Sequence, residues 1–221
     1  MTNRALVIGA SGGIGAALAE ALIARGAEVT RLSRSGGAFD ITDPETVASA
    51  LCGLDGPFDM ILVASGMLAP EGGRPEKALA EIDAVAMARV FAVNAIGPAL
   101  VLRHVPRLLP RGRRAIVGVL SARVGSIGDN RLGGWYSYRA SKAAVNQIVH
   151  TAAIEIARQR PEVMLAALHP GTVETAFTEA YRAHHKVAPD VAAANLLAVL
   201  DRLTPADSGG FYDWAGKPVP W

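Results

Sequence analysis

A glycine-rich turn between an apolar run and a helical segment limits what this chain can fold into. Residues 5–8 are continuously apolar, which is typical of a central parallel strand that is buried on both faces. The turn 9–15 is rich in glycine, and residues 16–25 show a helical pattern that Gly26 closes. This order of strand, glycine turn and helix predicts the first unit of a doubly wound α/β sheet.

The same turn predicts an anion site. Glycines let backbone amides approach a pyrophosphate, and the N-terminus of the following helix adds a favourable partial charge. The spacing Gly9-x3-Gly13-x-Gly15 differs from the commoner GxGxxG, so a tight structural turn remains the alternative. The residues expected to contact the pyrophosphate and its neighbouring groups are Gly9, Ser11, Gly12, Gly13, Ile14 and Gly15.

Length and charge exclude several classes of protein. The 221 residues suit one well-buried domain, 1–221, better than two small ones. A net charge of +2, from 22 basic and 20 acidic residues, argues against a nucleic-acid partner. Cys52 is the only cysteine, so an internal disulfide is excluded and a reducing compartment is favoured. We expect Cys52 to have a packing role. Neither a signal-peptide core nor an apolar run of bilayer length is found, so we expect a cytoplasmic protein without a membrane partner.

Polar residues follow several apolar runs of the chain. Strand patterns at 28–32, 60–64, 115–120, 163–168 and 210–214 alternate with helical patterns, the longest at 76–109 with a local break at Asn94. Alternation of this kind predicts a parallel sheet, the Rossmann fold, in which ligands bind at the carboxyl ends of the strands. The residues at these ends are Ser33, Arg34, Ser65, Gly66, Ser121, Pro170 and Gly171.

The end of the second strand predicts the choice of dinucleotide. An acidic residue about 20 positions after the glycines commonly binds the adenosine ribose hydroxyls. Here Ser33 and Arg34 stand at that place, with Arg31 close by. A guanidinium can bind a 2′-phosphate and no carboxylate would repel it, so NADP (NADPH) is the expected cofactor. The alternative is that Arg34 is an ordinary solvated loop residue.

A tyrosine and a lysine four residues apart predict acid–base chemistry. If a helix begins near Tyr138, Lys142 lies one turn away on the same face. A nearby ammonium favours the phenolate and would lower the pKa of the tyrosine from its ordinary value near ~10. The alternative is a surface lysine one turn from a packing tyrosine.

In this order and spacing, the motifs resemble those of the short-chain dehydrogenase/reductase family over almost the whole chain. The motifs are the glycine turn, Asp40-Ile41, Ala64-Ser65-Gly66, Asn94, Ser121, Tyr138-x3-Lys142 and Pro170-Gly171. The loop 125–139 and the ending Trp214-x-Gly216-Lys217-x3-Trp221 resemble the C-factor-like branch of the family.

The resemblance implies a role for each matched residue. Tyr138 would be the general acid/base, Lys142 would lower its pKa and bind ribose hydroxyls, and Ser121 would hold the carbonyl oxygen. Asn94 would complete the catalytic set by holding a water in the proton path to Lys142. Further cofactor contacts would come from Asp40, Ile41, Ala64, Ser65, Gly66, Pro170, Gly171, Thr172, Val173 and Thr175.

Three residues depart from the family's pattern. Ile8 stands where a threonine is usual, and Ser65 replaces an asparagine. Ser121 precedes Tyr138 by 17 residues, which is longer than usual, whereas Ser126 precedes it by 12. We expect Ser121 to be the catalytic serine because it ends a buried strand, while Ser126 lies within a glycine-rich loop.

The sequence therefore predicts an NADPH-dependent oxidoreductase that interconverts a small carbonyl compound and its alcohol by hydride transfer. A dinucleotide-binding signalling protein of C-factor type is the alternative, and an epimerase or dehydratase would need a further acid/base that is not identified. Residues 172–188 are expected to form a mobile lid carrying Phe177 and Tyr181, with exposed His184 and His185 and no metal role. The family resemblance implies a homodimer or homotetramer formed through two long helices.

Overall fold

A computed structural model describes residues 3–37, 39–179 and 186–221. Within these residues a sheet of six parallel strands has the order β2-β1-β3-β4-β5-β6. The strands are β1 Arg4–Ile8, β2 Glu28–Leu32, β3 Met60–Val63, β4 Ala115–Leu120, β5 Val163–His169 and β6 Phe211–Asp213. The strand order reverses between β1 and β3, so the predicted doubly wound fold is confirmed.

Helices cover both faces of this sheet. They are α1 Gly13–Ala24, α2 Pro44–Cys52, α3 Ala84–Phe91, α4 Gly97–Leu108, α5 Tyr136–Ala157 and α6 Pro189–Arg202. One hydrophobic core lies between the sheet and α2, α4 and α5, and a second lies between the sheet and α1 and α6. In β1, Leu6 and Ile8 face the first core while Ala5 and Val7 face the second. Burial on both faces explains the continuous apolar runs in the sequence.

The long helix predicted for 76–109 is wrong at its start. The carboxylate of Asp83 accepts a hydrogen bond from Ala86 N at 2.7 Å and caps α3, so regular helix begins only at Ala84. The preceding residues form a loop with a short 3₁₀ turn, Leu79–Glu81. The predicted break at Asn94 is present as a π-helical turn, Ala92–Ile96, which joins α3 to α4.

The expectation that no apolar run reaches bilayer length is wrong for the helical run Ala84–Leu108. By length and composition this run could span a membrane, and 39% of its most apolar window is buried. Val101 and Val105 of this run belong to the first hydrophobic core. Core helices of soluble folds pass the same criterion, so this run is weak evidence for a membrane partner.

The packing role expected for Cys52 is wrong. This residue ends α2 and its side chain is exposed. Its sulfur lies 4.0 Å from Nδ1 of His104 on the neighbouring α4. The apolar face of α2 is formed instead by Val47 and Leu51, which are fully buried.

Candidate active site

Tyr138 and Lys142 lie in the first two turns of α5, which begins at Tyr136. Both side chains are buried, and Lys142 Nζ lies 5.9 Å from the centroid of the Tyr138 ring. The ammonium donates a hydrogen bond of 2.9 Å to the carbonyl oxygen of Leu120, the last residue of β4. The helix therefore places the two groups on one face, against the carboxyl edge of the sheet.

Burial controls the ionisation of this pair. It raises the pKa of Tyr138 above its ordinary value and lowers the pKa of Lys142 to about 8. We expected Lys142 to lower the pKa of the phenol, and the structure shows the opposite direction. Desolvation disfavours the charged form of both groups, and it is the cause of both shifts. The protein alone therefore holds a protonated phenol at neutral pH.

Ser121 follows β4 directly and is buried beside this pair. Its hydroxyl donates a hydrogen bond of 2.6 Å to Oδ1 of Asn146, which lies one turn beyond Lys142 on α5. Nδ2 of Asn146 is buried and has no partner among the described residues. Rotating this amide by 180° would bring Nδ2 to the serine oxygen, and the serine proton would then be free to point elsewhere. Asn146 was missed in the sequence, although its spacing of four from Lys142 indicated a shared face.

Ser126, the other candidate serine, has a structural contact. It is buried, and its oxygen accepts a hydrogen bond of 3.0 Å from Asp129 N, which braces the loop after β4. Ser121 is among the described residues that line the main cavity, and Ser126 is not. The geometry favours Ser121, as we expected from its place at a strand end.

Asn94 is fully buried in the π-helical turn behind Lys142. Its Oδ1 accepts from Met67 N at 2.7 Å, and its Nδ2 donates to Met67 O at 2.7 Å and to Ser141 Oγ at 3.0 Å. A Cβ atom added at Gly66 would lie 3.8 Å from both Asn94 Oδ1 and Lys142 Nζ. The side chain thus ties the residues after β3 to α5, close to the lysine.

A cavity of about 680 Å³ connects these groups with the glycine turn. Besides Ser121, it is lined by predicted cofactor residues from three further strand ends and from α5: Gly12, Gly13, Ile14, Ala64, Ser65, Gly66, Tyr138, Lys142, Pro170, Gly171, Thr172, Val173 and Thr175. Sequence reasoning did not single out several other lining residues, among them Trp135, Arg123, Arg139, His169 and Leu68. Only their positions next to motif residues could have indicated them.

The glycine turn fits a dinucleotide pyrophosphate. The N-terminus of α1 has no side-chain cap and no acidic residue in its first turn, and it borders the cavity at Gly12 and Gly13. Gly9 has φ +82, and a Cβ atom there would lie 2.8 Å from Ser65 N. A Cβ atom at Gly15 would lie 2.2 Å from Gly9 O, so these two glycines keep the turn tight. Gly9, Ser11 and Gly15 shape this turn without being lining residues of the cavity.

The predicted adenosine residues lie apart from the main cavity. Ser33 borders a second cavity of about 430 Å³ with Arg31, and Arg34 is exposed in a short 3₁₀ turn. Hydrogen bonds from Thr42 lower the pKa of Asp40, and the Arg34 guanidinium adds to this effect. Arg34 therefore has a carboxylate nearby, which the sequence did not indicate. Ile41 is buried in the core, and a Cβ atom at Gly97 of α4 would lie 2.8 Å from its side chain.

His169, which ends β5, is a further ionisable residue of the cavity wall. Burial lowers its pKa to about 4, and the nearby Arg123 acts in the same direction. Its Nδ1 is buried without a partner among the described residues. Arg123 bridges Asp129 and Asp213 and so joins the loop after β4 to β6.

The segment after Gly171 covers part of the cavity. Val173 forms a bridge with Val187, and a short 3₁₀ turn spans Ala176–Thr178. The ring of Phe177 lies 5.9 Å from that of Tyr138, as expected of an aromatic residue facing the site. Tyr181, His184 and His185 lie outside the described residues. Among the described residues, no group of three or more His, Cys, Asp or Glu side chains could hold a metal ion.

Together, the doubly wound sheet, the uncapped glycine turn and the buried tyrosine–lysine pair define a class, the dinucleotide-dependent oxidoreductases. Comparisons with known proteins identify the family. The family profile described as short chain dehydrogenase matches residues 35–186. The chain is 33% identical over 233 residues to 1-hydroxy-2-glutathionyl-2-methyl-3-butene dehydrogenase of Rhodococcus sp. strain AD45, with 98% of each chain covered. This chain belongs to the short-chain dehydrogenase family and is an oxidoreductase.

Two further similarities bear on the branch and on the site. The chain is 38% identical over 148 residues to C-signal of Myxococcus xanthus, covering 65% of this chain and 84% of that protein. This match confirms the resemblance to the C-factor-like branch. The structure of a carbonyl reductase from Pseudomonas aeruginosa PAO1 in complex with NADP has a TM-score of 0.79 and 27% identity, covering 99% of this chain and 100% of that one.

Proposed function

We propose that this protein is an NADPH-dependent reductase of small carbonyl compounds, which also catalyses the reverse oxidation of the alcohols. One observation carries the proposal: Ser121, Tyr138 and Lys142 line a single cavity that reaches the uncapped N-terminus of α1. That cavity joins a proton donor to an anion site, which is what hydride transfer from a dinucleotide requires.

The cofactor would lie along the carboxyl edge of the sheet. The turn 9–15 and the α1 N-terminus would hold the pyrophosphate, Ser33 and Arg34 the 2′-phosphate, and Lys142 the nicotinamide ribose. NADP in the similar Pseudomonas aeruginosa carbonyl reductase supports this assignment. When bound, the reduced nicotinamide supplies a hydride to the carbonyl carbon.

The residues of this chain would supply the proton and stabilise the charges that its transfer creates. Tyr138 donates its phenolic proton to the carbonyl oxygen as negative charge develops there, and the product is an alcohol. The raised pKa of the buried phenol keeps it protonated at neutral pH, which suits a donor in the direction of reduction. Lys142 lies beside the ring and would stabilise the phenolate that remains. Ser121 would hydrogen-bond the developing oxyanion once its proton turns away from Asn146.

The substrate would enter beside the aromatic rings of Trp135 and Phe177, whose centroids lie 6.1 Å and 5.9 Å from that of the Tyr138 ring. An apolar, aromatic wall suits a small ketone, aldehyde or quinone. A cytoplasmic homodimer or homotetramer fits the family resemblance. The apolar side chains Ile96 and Ile154, which are half exposed on the π-helical turn and on α5, would support self-association.

A dinucleotide-binding signalling protein is the second candidate, favoured by the 38% identity with C-signal. Such a protein would need to bind NADPH without turning over a substrate. The matched Asn94, Ser121, Tyr138 and Lys142 would then serve only to hold the nicotinamide end. All four residues are buried, and the side chains of Asn94, Ser121 and Lys142 are hydrogen-bonded, which gives more support to catalysis.

The deciding experiment measures oxidation of NADPH and NADH by the purified chain against a panel of aldehydes, ketones and quinones. We expect turnover of at least one carbonyl class with NADPH, together with weaker use of NADH. Tight NADPH binding with no turnover across the panel would favour the signalling protein. The absence of measurable binding of either dinucleotide would overturn both candidates.

A further inference from the structure

Glu76 is a buried carboxylate for which the proposed mechanism has no use. Glu76 lies in the loop between β3 and α3 and is only 8% exposed. Its Oε2 accepts a hydrogen bond of 3.2 Å from Ser137 N, and its Oε1 accepts one from the Ser137 hydroxyl. No basic side chain of the described residues forms an ion pair with it. A buried charge must be compensated, so these two donors determine where the carboxylate can lie.

The donors belong to the first turn of α5, which has no cap of its own. Trp135 occupies the N-cap position, and its side chain makes no capping hydrogen bond. The first amides of a helix lack partners within the helix and carry a partial positive charge. The Glu76 carboxylate therefore serves as a cap that comes from 61 residues earlier in the chain.

The chain enters α5 through an unusual backbone turn. Gly133 and Gly134 both have φ 64, and Trp135, which is not a glycine, has φ 55. A non-glycine residue in this left-handed region is strained and persists only where the surroundings hold it. The backbone carbonyl of Glu76 accepts a hydrogen bond from Trp135 N, and Arg139 Nε donates to Gly134 O at 2.9 Å. Glu76 thus contacts both the strained turn and the helix that follows it.

We propose that Glu76 is a positioning residue that fixes the first turn of α5, and through it the phenol of Tyr138. This inference rests on the proposed function, in which Tyr138 is the proton donor. Tyr138 directly follows the clamped Ser137, and its ring lies 6.1 Å from that of Trp135. Displacements of about 1 Å at a reacting group can lower a rate by as much as about 10²-fold. Lys142 lies one turn further along and is anchored separately on Leu120.

The test compares Glu76→Ala, Glu76→Gln and Ser137→Ala with Glu81→Gln as the matched control. Glu81 braces the same loop through Lys77 N and Arg74 and has no hydrogen bond to α5. We expect Glu76→Ala to slow single-turnover hydride transfer by about tenfold or more, with NADPH affinity changed by less than about threefold. Glu76→Gln keeps one acceptor and should fall between Glu76→Ala and wild type. The Glu76→Ala/Ser137→Ala double variant should be no slower than Glu76→Ala, because the two side chains act as one unit.

A second readout, hydrogen exchange of the amides at 135–141, does not depend on catalysis. We expect exchange there to rise in Glu76→Ala and to stay at the wild-type level in Glu81→Gln. If Glu76→Ala does not fold, hydride transfer and hydrogen exchange measured on Glu76→Gln and Ser137→Ala test the proposal instead. Wild-type hydride transfer in folded Glu76 variants, or a fall shared equally by Glu81→Gln, would overturn the positioning role while leaving the proposed function intact. A wild type that reduces no carbonyl overturns the proposed function instead, and the exchange measurement then decides alone whether Glu76 holds α5.

Discussion

The regions proposed to hold the two ends of the cofactor are built in different ways. Near Tyr138, the side chains of Lys142 and Ser121 are buried and hydrogen-bonded to protein groups, Lys142 to Leu120 O and Ser121 to Asn146. Around Ser33, the chain runs through the exposed residues Arg34 and Ser35, and the two serine oxygens are 3.5 Å apart. One end is ordered by the core helix α5 and by strand ends, whereas the other is ordered by short loop contacts.

This difference fits two different tasks, catalysis near Tyr138 and cofactor binding near Ser33. Groups that must act within a fraction of an ångström lie on rigid elements and are held by buried hydrogen bonds. Groups that only need to attract a phosphate can remain solvated on a loop, where each contact contributes less. We therefore expect substitutions near Tyr138 to change the rate of hydride transfer strongly and substitutions near Ser33 to change cofactor affinity moderately.

The largest expected effect is that of Tyr138→Phe. This change removes one oxygen, keeps the ring beside Trp135 and Phe177, and deletes the proposed proton donor. Hydride transfer should fall by about 10²–10⁴-fold, the range typical of general acid catalysis, while NADPH affinity stays within about threefold. Single-turnover kinetics and a fluorescence titration on the same preparation would measure both. Hydride transfer at the wild-type rate would contradict the role of Tyr138.

The next effect concerns the two candidate serines. Ser121→Ala removes the proposed donor to the developing oxyanion and should lower kcat by about 10²–10³-fold. Ser126→Ala, the matched control, loses only a hydrogen bond to Asp129 N and should lose stability, with kcat within a few-fold of wild type. The ratio of the two kcat values is the measurement. The opposite ratio, with Ser126→Ala inactive, would reverse the assignment.

Part of this site could be predicted from local patterns. The spacing of Tyr138 and Lys142 indicates a shared helical face, and the apolar run 115–120 places Ser121 at a strand end. The ionisation state could not be predicted, because the desolvation that raises the pKa of Tyr138 comes from neighbours brought together by the fold. Spacing shows proximity to Lys142 but does not show how little water remains.

Contacts between distant segments were also beyond local patterns. The helical periodicity of its segment predicts a helix at Glu76, yet the Glu76 carboxylate caps α5, and the helix α3 begins later, at Ala84. Side-chain capping competes with helix extension, and tertiary contacts determine which of the two forms. The proximity of the Asp40 carboxylate to Arg34 was missed for the same reason, because the fold and not a local pattern brings the two charges together.

A pH-dependent effect on stability should distinguish the buried end from the exposed one. The folded protein holds the pKa of Lys142 at about 8, below its ordinary value near 10.5, so folding penalises the ammonium. Between these two pKa values the unfolded chain binds more protons than the folded one, and stability contributed by this group therefore rises with pH. From pH 7.5 to 9.5 the free energy of unfolding of the wild type should rise by about 2 kcal/mol relative to Lys142→Met.

Denaturant unfolding of both proteins at the two pH values measures this difference. The titration of Tyr138 and of other groups common to both proteins cancels in the comparison. An equal pH response in wild type and Lys142→Met would show that the lysine is not desolvated in the folded state.

The smallest effect is expected at the exposed end, for Arg34→Ala. A charge-assisted contact with the 2′-phosphate is worth about 1.5–3 kcal/mol at best, but Arg34 is exposed and has Asp40 nearby. We therefore expect about a tenfold loss of NADPH affinity and less than a twofold change for NADH. Arg31→Ala is the matched control, because Arg31 is already paired with Glu20 at 2.8 Å. Its NADPH affinity should stay within about twofold of wild type, and titrations at two salt concentrations should show screening for the Arg34 contact alone. Equal losses for NADPH and NADH in Arg34→Ala would mean that the guanidinium shapes the loop and does not bind the phosphate.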